Sequence, residues 1–270
     1  MRLLVSGCSF SAGAHLTHVE GGKTAEELHC PLKDEGFLWP NLISDSNDYE
    51  LHNISLPGNS NDKIIRQTVE WLEKNGTEDT IAVIQFSSLY RHEFYSDLMK
   101  EYVNYCASGT RVLETADGPT LLSHALTLYD GHTDNSYLQD KLDDNKLHKK
   151  TLLALSDMLK YTWNKNNLLI NYLQNVLFLQ NYLKDAGIPH LFTSMSTGSN
   201  VLHMTNNVDA TSVNYLRILT GLVDLTNWVQ PLTAASDHNT FEDGHPNQEG
   251  NQLIASFIQQ ELTRILSERQ

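Results

Sequence analysis

The apolar segment Thr80–Phe86, TIAVIQF, constrains the fold of this chain more than any other feature. Most of its residues are β-branched or aromatic, as is typical of strands. Both of the faces that alternate along a strand carry apolar side chains, which is typical of a strand that is buried on both sides in a parallel sheet. The segment therefore predicts an α/β protein whose central parallel sheet is covered by helices on both faces.

The rest of the chain alternates between strand and helix patterns. Strands are predicted at Arg2–Ser6, Tyr49–Ile54 and Ile188–Ser194, and helices at Asp62–Glu73, Thr151–Asp185, Val213–Trp228 and Gln248–Leu266. Strands that alternate with helices form parallel sheets through right-handed crossovers. The predicted fold class is thus α/β, with three α/β/α layers around a central parallel sheet. Functional side chains are expected beyond the carboxyl ends of its strands.

The chain shows no sign of division into separate domains. Its 270 residues are enough to bury one full core, and they contain no internal repeat, low-complexity tract or Pro-rich linker. The segment from about 95 to 150 is polar and weakly periodic, so it is interpreted as an insertion. The sequence predicts a single domain over 1–270 with an insertion at about 95–150.

The charge balance excludes one class of partner. The chain carries 33 Asp and Glu against 19 Lys and Arg, for a formal net charge of −14. This charge repels phosphate backbones, so no nucleic-acid partner is expected. No apolar run reaches the length of about 20 residues that a membrane span needs, and no signal-peptide pattern is present. A cytoplasmic protein without a membrane span is therefore expected.

The metal-ligating residue types form no recognisable site. Three cysteines, Cys8, Cys30 and Cys106, are odd in number and lack a Cys-x-x-Cys spacing, which argues against a disulfide framework and a structural zinc site. His15 and His18 have no carboxylate at ligand spacing. Neither a metal nor another cofactor is expected.

The first candidate for chemistry is Ser9, which follows the first predicted strand in the sequence GCSFSAG. Gly7 permits a tight turn that places the Ser9 hydroxyl at the edge of the sheet. A plain structural turn is the alternative, and Cys8 is a second candidate nucleophile. A phosphate-binding loop is disfavoured because no Gly-Lys-Ser/Thr follows. The Gly-x-Ser-x-Gly elbow also fails, since Ser11 occupies the second glycine position.

The second candidate lies directly before the last predicted helix, in FEDGHPN. A serine hydroxyl needs an imidazole base, and that base needs a carboxylate to fix its tautomer. His245 and Asp243 supply these two groups, and Glu242 is an alternative carboxylate. A surface loop in which Asn247 caps the following helix is the structural alternative.

Together the two ends of the chain resemble the SGNH hydrolases, also called GDSL esterases and lipases. Their first block, Gly-Asp-Ser, is similar to Gly7-Cys8-Ser9, and their last block, Asp-x-x-His-Pro, is similar to Asp243-Gly244-His245-Pro246. The glycine of their second block is matched by Gly58. The resemblance implies a flavodoxin-like α/β/α fold and the catalytic residues Ser9, Asp243 and His245. It also implies that the backbone N–H groups of Ser9 and Gly58 form an oxyanion hole.

Three departures from the family pattern concern the site. Asp243 stands two residues before His245 where the family often has three, which leaves Glu242 as an alternative carboxylate at the usual spacing. Cys8 replaces the usual Asp, at a position that neighbours the nucleophile. The third block, Gly-x-Asn-Asp, is missing after the strand Thr80–Phe86, so Asn61 or Ser88 is a substitute oxyanion donor. The sequence there, Ser87-Ser88-x-x-Arg91-x-Glu93, resembles virus-encoded and marine bacterial members of the family. Arg91 and Glu93 are interpreted as a structural ion pair under the loop.

The resemblance implies a serine esterase that cleaves small O-acyl esters, O-acetyl groups on carbohydrate included. The expected partner is accordingly a small-molecule or carbohydrate ester. The alternative is a non-catalytic protein of the same fold that binds a glycan or forms a structural part of a viral particle. In that setting the protein is located in the virion. Trp39 and the aromatic residues near 90–105 are interpreted as core, with a lid over the site as the alternative.

Overall fold

The structure is a computed structural model. It describes residues 1–13, 37–89, 91–96, 101–106, 112–115, 118–121, 127–129, 165–197, 200–204, 214–237, 239–240 and 244–268. The strands in these ranges are β1 Arg2–Ser6, β2 Glu50–Asn53, β3 Thr80–Phe86, β4 Arg91–Ser96, β5 Glu101–Cys106, β6 Val112–Thr115, β7 Gly118–Leu121, β8 Thr127–Tyr129 and β9 His190–Ser194. The helices are α1 Ser9–Ala12, α2 Trp39–Asn47, α3 Asn61–Asn75, α4 Lys165–Asp185, α5 Val201–Met204, α6 Asn214–Leu222, α7 Leu232–Ala235 and α8 Gln248–Ser267.

The central sheet has the strand order β2-β1-β3-β9, and all of its neighbouring strands are parallel. β3 lies between β1 and β9, with Ser6 opposite Ile84 and Ala82 opposite His190. Every residue of β3 is buried. The predicted fold class, an α/β protein with a central parallel sheet, is confirmed. The burial of β3 on both sides explains this architecture, because helices cover both faces of the sheet.

Alternate residues of β1 show how the two cores form. Leu4 packs into one apolar cluster with helices α3, α4 and α6. Leu3 and Val5 pack into a second cluster on the opposite face, with helices α2 and α8. Complete burial of such a side chain contributes about 1.5–3 kcal/mol. The helices are thereby held in two layers, one on each face of the sheet.

Helix α2 is an element that the sequence pattern did not predict. It spans Trp39–Asn47, and Pro40 lies in its first turn, where a missing N–H costs nothing. The side chain of Trp39 is completely buried, and its indole N–H donates to the Phe10 carbonyl oxygen at 3.2 Å. Trp39 is therefore a core residue and not part of a lid.

The predicted long helix is described only from Lys165 onwards, as α4, and its predicted part over 151–164 lies outside the described residues. Strands were not predicted between β3 and α4, but β4, β5 and β8 form an antiparallel sheet there, and β6 pairs with β7. The polar composition of this region hid the two-residue period from which strands are predicted. Its interpretation as an insertion into a single domain stays a prediction.

Strand β4 is attached to helix α3 by charged side chains. Arg66 binds both carboxylate oxygens of Glu93, through Nε and Nη2 at 2.8 Å each. Arg91 donates from Nη1 to Ser87 Oγ at 3.0 Å. The prediction that Arg91 forms an ion pair with Glu93 is wrong. The guanidinium of Arg66 on α3 binds both carboxylate oxygens of Glu93 as a planar fork.

The carboxyl ends of the parallel strands bring together the segments that carry the candidate site. Gly7 follows β1, the loop Ile54–Ser60 follows β2, and Ser87 follows β3. Backbone hydrogen bonds join the first two, from the Ile54 N–H to the Val5 carbonyl at 2.9 Å and from the Leu56 N–H to the Gly7 carbonyl at 3.3 Å. Among the helices in the described ranges, none is long and apolar enough to cross a membrane.

Candidate active site

Ser9 is the first residue of α1 and lies directly beyond the carboxyl end of β1. The helix has four residues and is capped at its C-terminus by Gly13, which adopts the left-handed conformation with φ of 75°. The side chain of Ser9 is mostly buried, with 7% of the residue exposed. The local turn thus presents one hydroxyl at the sheet edge where sites of parallel α/β proteins form.

His245 lies beside Ser9 although 236 positions separate them in the chain. The imidazole Nε2 is 2.8 Å from Ser9 Oγ, which is a hydrogen-bond distance. The ring of Phe10 packs against the imidazole with its centroid 4.8 Å away. An imidazole nitrogen at this distance can accept the serine proton, which is the arrangement that general-base catalysis requires.

The start of helix α8 fixes the position of His245. Asn247 is the N-cap, and its side-chain oxygen accepts the Gly250 N–H at 3.0 Å. The Asn247 N–H donates to the Asn239 carbonyl at 3.1 Å. A Cβ at Gly250 would collide with that same carbonyl oxygen, so only glycine lets α8 approach Asn239 this closely. The cap and the close contact together hold the backbone beside His245.

The predicted carboxylate Asp243 and its alternative Glu242 lie outside the described residues. The role of Asp243 in orienting His245 therefore stays a prediction.

The Ser9 N–H points away from helix α1. The Cys8 carbonyl accepts the N–H groups of Ser11 at 3.1 Å and Ala12 at 3.0 Å, so it is directed into the helix. In a trans peptide the N–H is antiparallel to the carbonyl of the same peptide unit. The Ser9 N–H is consequently directed out of the helix N-terminus, which is the direction that a donor of an oxyanion hole requires.

Gly58 is buried and lies in the loop after β2, with φ of 77°. A positive φ of this size is a conformation that glycine adopts without strain. The neighbouring Asn59 ties the loop to the Ser9 turn, since its Nδ2 donates to the Gly7 carbonyl at 2.9 Å. The structure thus places the Gly58 loop and the Ser9 turn side by side, and the roles of both N–H groups in an oxyanion hole stay predictions.

The side chain of Asn61 binds the loop after β3. Its Oδ1 accepts the Ser87 N–H at 2.7 Å, and its Nδ2 donates to the carbonyls of Ser87 and Ser88 at 3.3 Å each. The amide therefore orients this loop. Its part in the oxyanion hole stays a prediction, and its donor Nδ2 is held only by the two longer bonds of 3.3 Å.

Cys8 is completely buried, and it is a free cysteine in the structure. Its Sγ lies 3.9 Å from Ser9 Oγ and accepts a hydrogen bond from Gln85 Nε2 at 3.1 Å. Within the described contacts it is Ser9 Oγ that approaches His245 Nε2. The geometry therefore favours Ser9 over Cys8 as the nucleophile.

Gln85 was not singled out by the sequence pattern, yet it contacts the Ser9 turn. Its Oε1 accepts the Cys8 N–H and the Ser11 hydroxyl, both at 3.0 Å. One polar residue near the end of an apolar strand was the signal that could have identified it, because a buried amide requires partners.

Asp62 forms a polar cluster next to Asn61. Burial raises the pKa of its carboxyl, but hydrogen bonds from the side chains of His92 and Asn175 and from the Glu93 N–H outweigh this effect and hold the pKa below its ordinary value. The Asn175 bond measures 2.7 Å and the Glu93 bond 3.1 Å. The ionised carboxylate thus ties α3 to α4 and to β4.

In the part of the chain that the structure describes, no three His, Cys, Asp or Glu side chains cluster in a way that could hold a metal ion. The expectation that no metal or cofactor is needed stays a prediction.

Comparisons with known proteins find a likeness to solved structures but none to a known family or a curated sequence. Among solved structures, the chain is similar to a psychrotrophic esterase, EstA from a Pseudoalteromonas species, in a form inhibited by monoethylphosphonate. The identity is 14%, 98% of each chain is covered, and the TM-score is 0.44. A likeness of this size carries no argument about function.

Proposed function

We propose that this protein is a serine esterase of the SGNH type, which hydrolyses small O-acyl esters. The observation that carries the proposal is the distance of 2.8 Å between Ser9 Oγ and His245 Nε2, at the end of β1 where α1 begins. A serine hydroxyl becomes an effective nucleophile when such a base accepts its proton.

In the proposed reaction Ser9 Oγ attacks the ester carbonyl while His245 accepts the hydroxyl proton. His245 then returns this proton to the departing alcohol, which leaves an acyl group on Ser9. Water, activated by His245 in the same way, attacks the acyl-enzyme and releases the acid. Asp243 is assigned to orient the imidazole.

The negative charge that develops on the carbonyl oxygen needs donors. The backbone N–H groups of Ser9 and Gly58 are assigned this role, with Asn61 as a third group of the oxyanion hole. Support comes from the direction of the Ser9 N–H, away from α1, and from the hydrogen bond by which Asn59 ties the Gly58 loop to Gly7. Loss of one such donor typically slows acyl transfer by about 10²–10³-fold.

O-acetyl groups on carbohydrate are the substrate class that we propose to test first, because the family that the sequence resembles acts on such esters. The net charge of −14 disfavours strongly acidic sugars, since like charges repel at long range. A glycan-binding or particle-forming protein without catalysis remains the alternative function. Such a protein has no need of a serine hydroxyl paired with an imidazole, so the Ser9–His245 contact favours the enzyme.

Labelling with a fluorophosphonate, scored by intact mass, tests the proposal. We expect the wild-type protein to gain one adduct and Ser9→Ala to gain none. Cys8→Ala should still be labelled, though more slowly, and Ser256→Ala on α8 serves as the matched control that leaves labelling unchanged. A folded wild-type protein that stays unlabelled, or a labelled Ser9→Ala variant, would contradict the proposal.

A further inference from the structure

Gln85 is a buried amide in a strand that is otherwise mostly apolar. It lies near the end of β3 and none of its surface is exposed. An amide without hydrogen-bond partners is costly in such a place, so its presence needs an explanation. In a strand that is buried on both faces, leucine or isoleucine would satisfy packing alone.

The amide uses both of its ends. Oε1 accepts the N–H of Cys8 and the hydroxyl of Ser11, both at 3.0 Å. Nε2 donates to the Phe86 carbonyl at 2.9 Å and to Cys8 Sγ at 3.1 Å. Three of these four bonds reach the turn that holds Ser9, from a residue more than 70 positions away. Gln85 therefore fastens the turn on both sides of Ser9.

The bond to the Cys8 N–H fixes the peptide unit that directly precedes the one carrying the Ser9 N–H. Cys8 is the N-cap of α1, and its side chain makes no capping bond. Its carbonyl is held by the N–H groups of Ser11 and Ala12, and its own N–H is held by Gln85. Both peptide units that meet at the Cys8 Cα are thereby fixed. The peptide that carries the Ser9 N–H is one of these two units.

Gly7 makes the approach of Gln85 feasible. A Cβ at this position would lie 2.7 Å from Gln85 Oε1 and 2.9 Å from Ser11 Oγ, which is closer than real Cβ atoms come. The space of a side chain at position 7 is thus filled by the Gln85 amide. The glycine of the Ser9 turn and the glutamine of β3 form one packing unit.

We infer that Gln85 is a positioning residue for the reaction, an inference that rests on the proposed esterase function. It holds Cys8 and Ser11 so that the Ser9 hydroxyl meets His245 and the Ser9 N–H faces the developing oxyanion. Because small displacements of reacting groups cost catalysis steeply, loss of this support should lower turnover far more than substrate affinity.

Two replacements of Gln85 separate its functions. Gln85→Met has a similar volume and removes all four hydrogen bonds, whereas Gln85→Glu keeps an acceptor for the Cys8 N–H. The probes are the rate of inactivation by a fluorophosphonate and kcat and KM for p-nitrophenyl acetate. For Gln85→Met we expect the inactivation rate and kcat to fall about 30- to 100-fold, with KM within about threefold of wild type. Gln85→Glu should lie between Gln85→Met and the wild type.

Gln180→Met is the matched control. Gln180 is also a buried amide, and its Oε1 accepts the Asp224 N–H at 2.9 Å in another part of the fold. This variant should lose thermal stability like Gln85→Met but keep the wild-type inactivation rate. Equal rates in Gln85→Met and Gln180→Met, or an effect on KM in place of kcat, would overturn the inference.

Ser11→Ala covers the case in which Gln85→Met does not fold. It removes one hydrogen bond to Gln85 and leaves the amide in place, and we expect an inactivation rate about three- to tenfold below wild type. Wild-type rates in both Ser11→Ala and Gln85→Glu would then overturn the inference. A folded wild-type protein that does not react overturns the esterase proposal and this inference together, whereas a reactive wild type with unaffected variants overturns this inference alone.

Discussion

Replacement of His245 by alanine should abolish most of the reactivity of Ser9 and leave the fold intact. In the structure the imidazole Nε2 lies 2.8 Å from Ser9 Oγ, so it is the group placed to accept the serine proton. General-base catalysis by a positioned side chain contributes about 10²–10⁴-fold in rate, which corresponds to about 3–5 kcal/mol of transition-state stabilisation. His245 follows Gly244 in the loop before α8 and is half-buried, so its truncation removes little core packing.

The assay compares kcat/KM for a short-chain p-nitrophenyl ester in the wild type and His245→Ala, together with thermal unfolding of both. We expect kcat/KM to fall by at least about 10²-fold. His190→Gln is the control, because His190 is a buried histidine whose Nδ1 contacts the Ile188 carbonyl at 2.9 Å, away from the site. The His190→Gln variant should keep the kcat/KM of the wild type. A His245→Ala variant that is folded and retains more than about a tenth of wild-type kcat/KM would refute the assignment of His245 as the base.

Three further predictions concern the scaffold of the site. Gly250→Ala should destabilise the protein by about 1–3 kcal/mol in urea unfolding and lower activity as well, because the added Cβ collides with the Asn239 carbonyl; unchanged stability would contradict this packing. Ser60→Ala removes the side-chain cap of α3 and should cost about 1 kcal/mol in the same experiment, with kcat little changed. Asp62 has a pKa below its unfolded value, so its contribution to stability is present at neutral pH and is lost as the pH falls through the pKa of the folded protein. Asp62→Asn should therefore be less stable than wild type at pH 7, and the difference should shrink toward pH 3; a difference that grows with acidity would refute the sign.

The central sheet and its helices are predictable from the sequence because their hydrophobic periods are clear. The apolar residues of β3 and the helical spacing in α3 and α8 give these elements within a few residues of their observed ends. Helix α2 gave no such signal, since its nine residues include Pro, Asn, Ser and Asp. Strands β4, β5 and β8 pair in one sheet and β6 with β7 in another, and such pairing leaves little trace in a single sequence.

Ser9 and His245 were predictable from their residue types and from the two sequence blocks that resemble those of the SGNH hydrolases. Ser9 follows a strand of a parallel sheet and His245 precedes the last helix, and the fold brings their side chains together. The partners of Glu93 and Gln85 were not predictable, because they depend on contacts over 27 and more than 70 positions that no local pattern specifies. Asp243 is a prediction from the sequence that the described residues leave untested.

The acyl-enzyme is the species that tests the central claim most directly. The protein would be quenched with acid during turnover of p-nitrophenyl acetate, digested, and examined by mass spectrometry for the site of acetylation. We predict an acetyl group on Ser9, and none on that peptide in Ser9→Ala. Turnover without an acetyl group on Ser9, or an acetyl group on Cys8 in its place, would contradict the account.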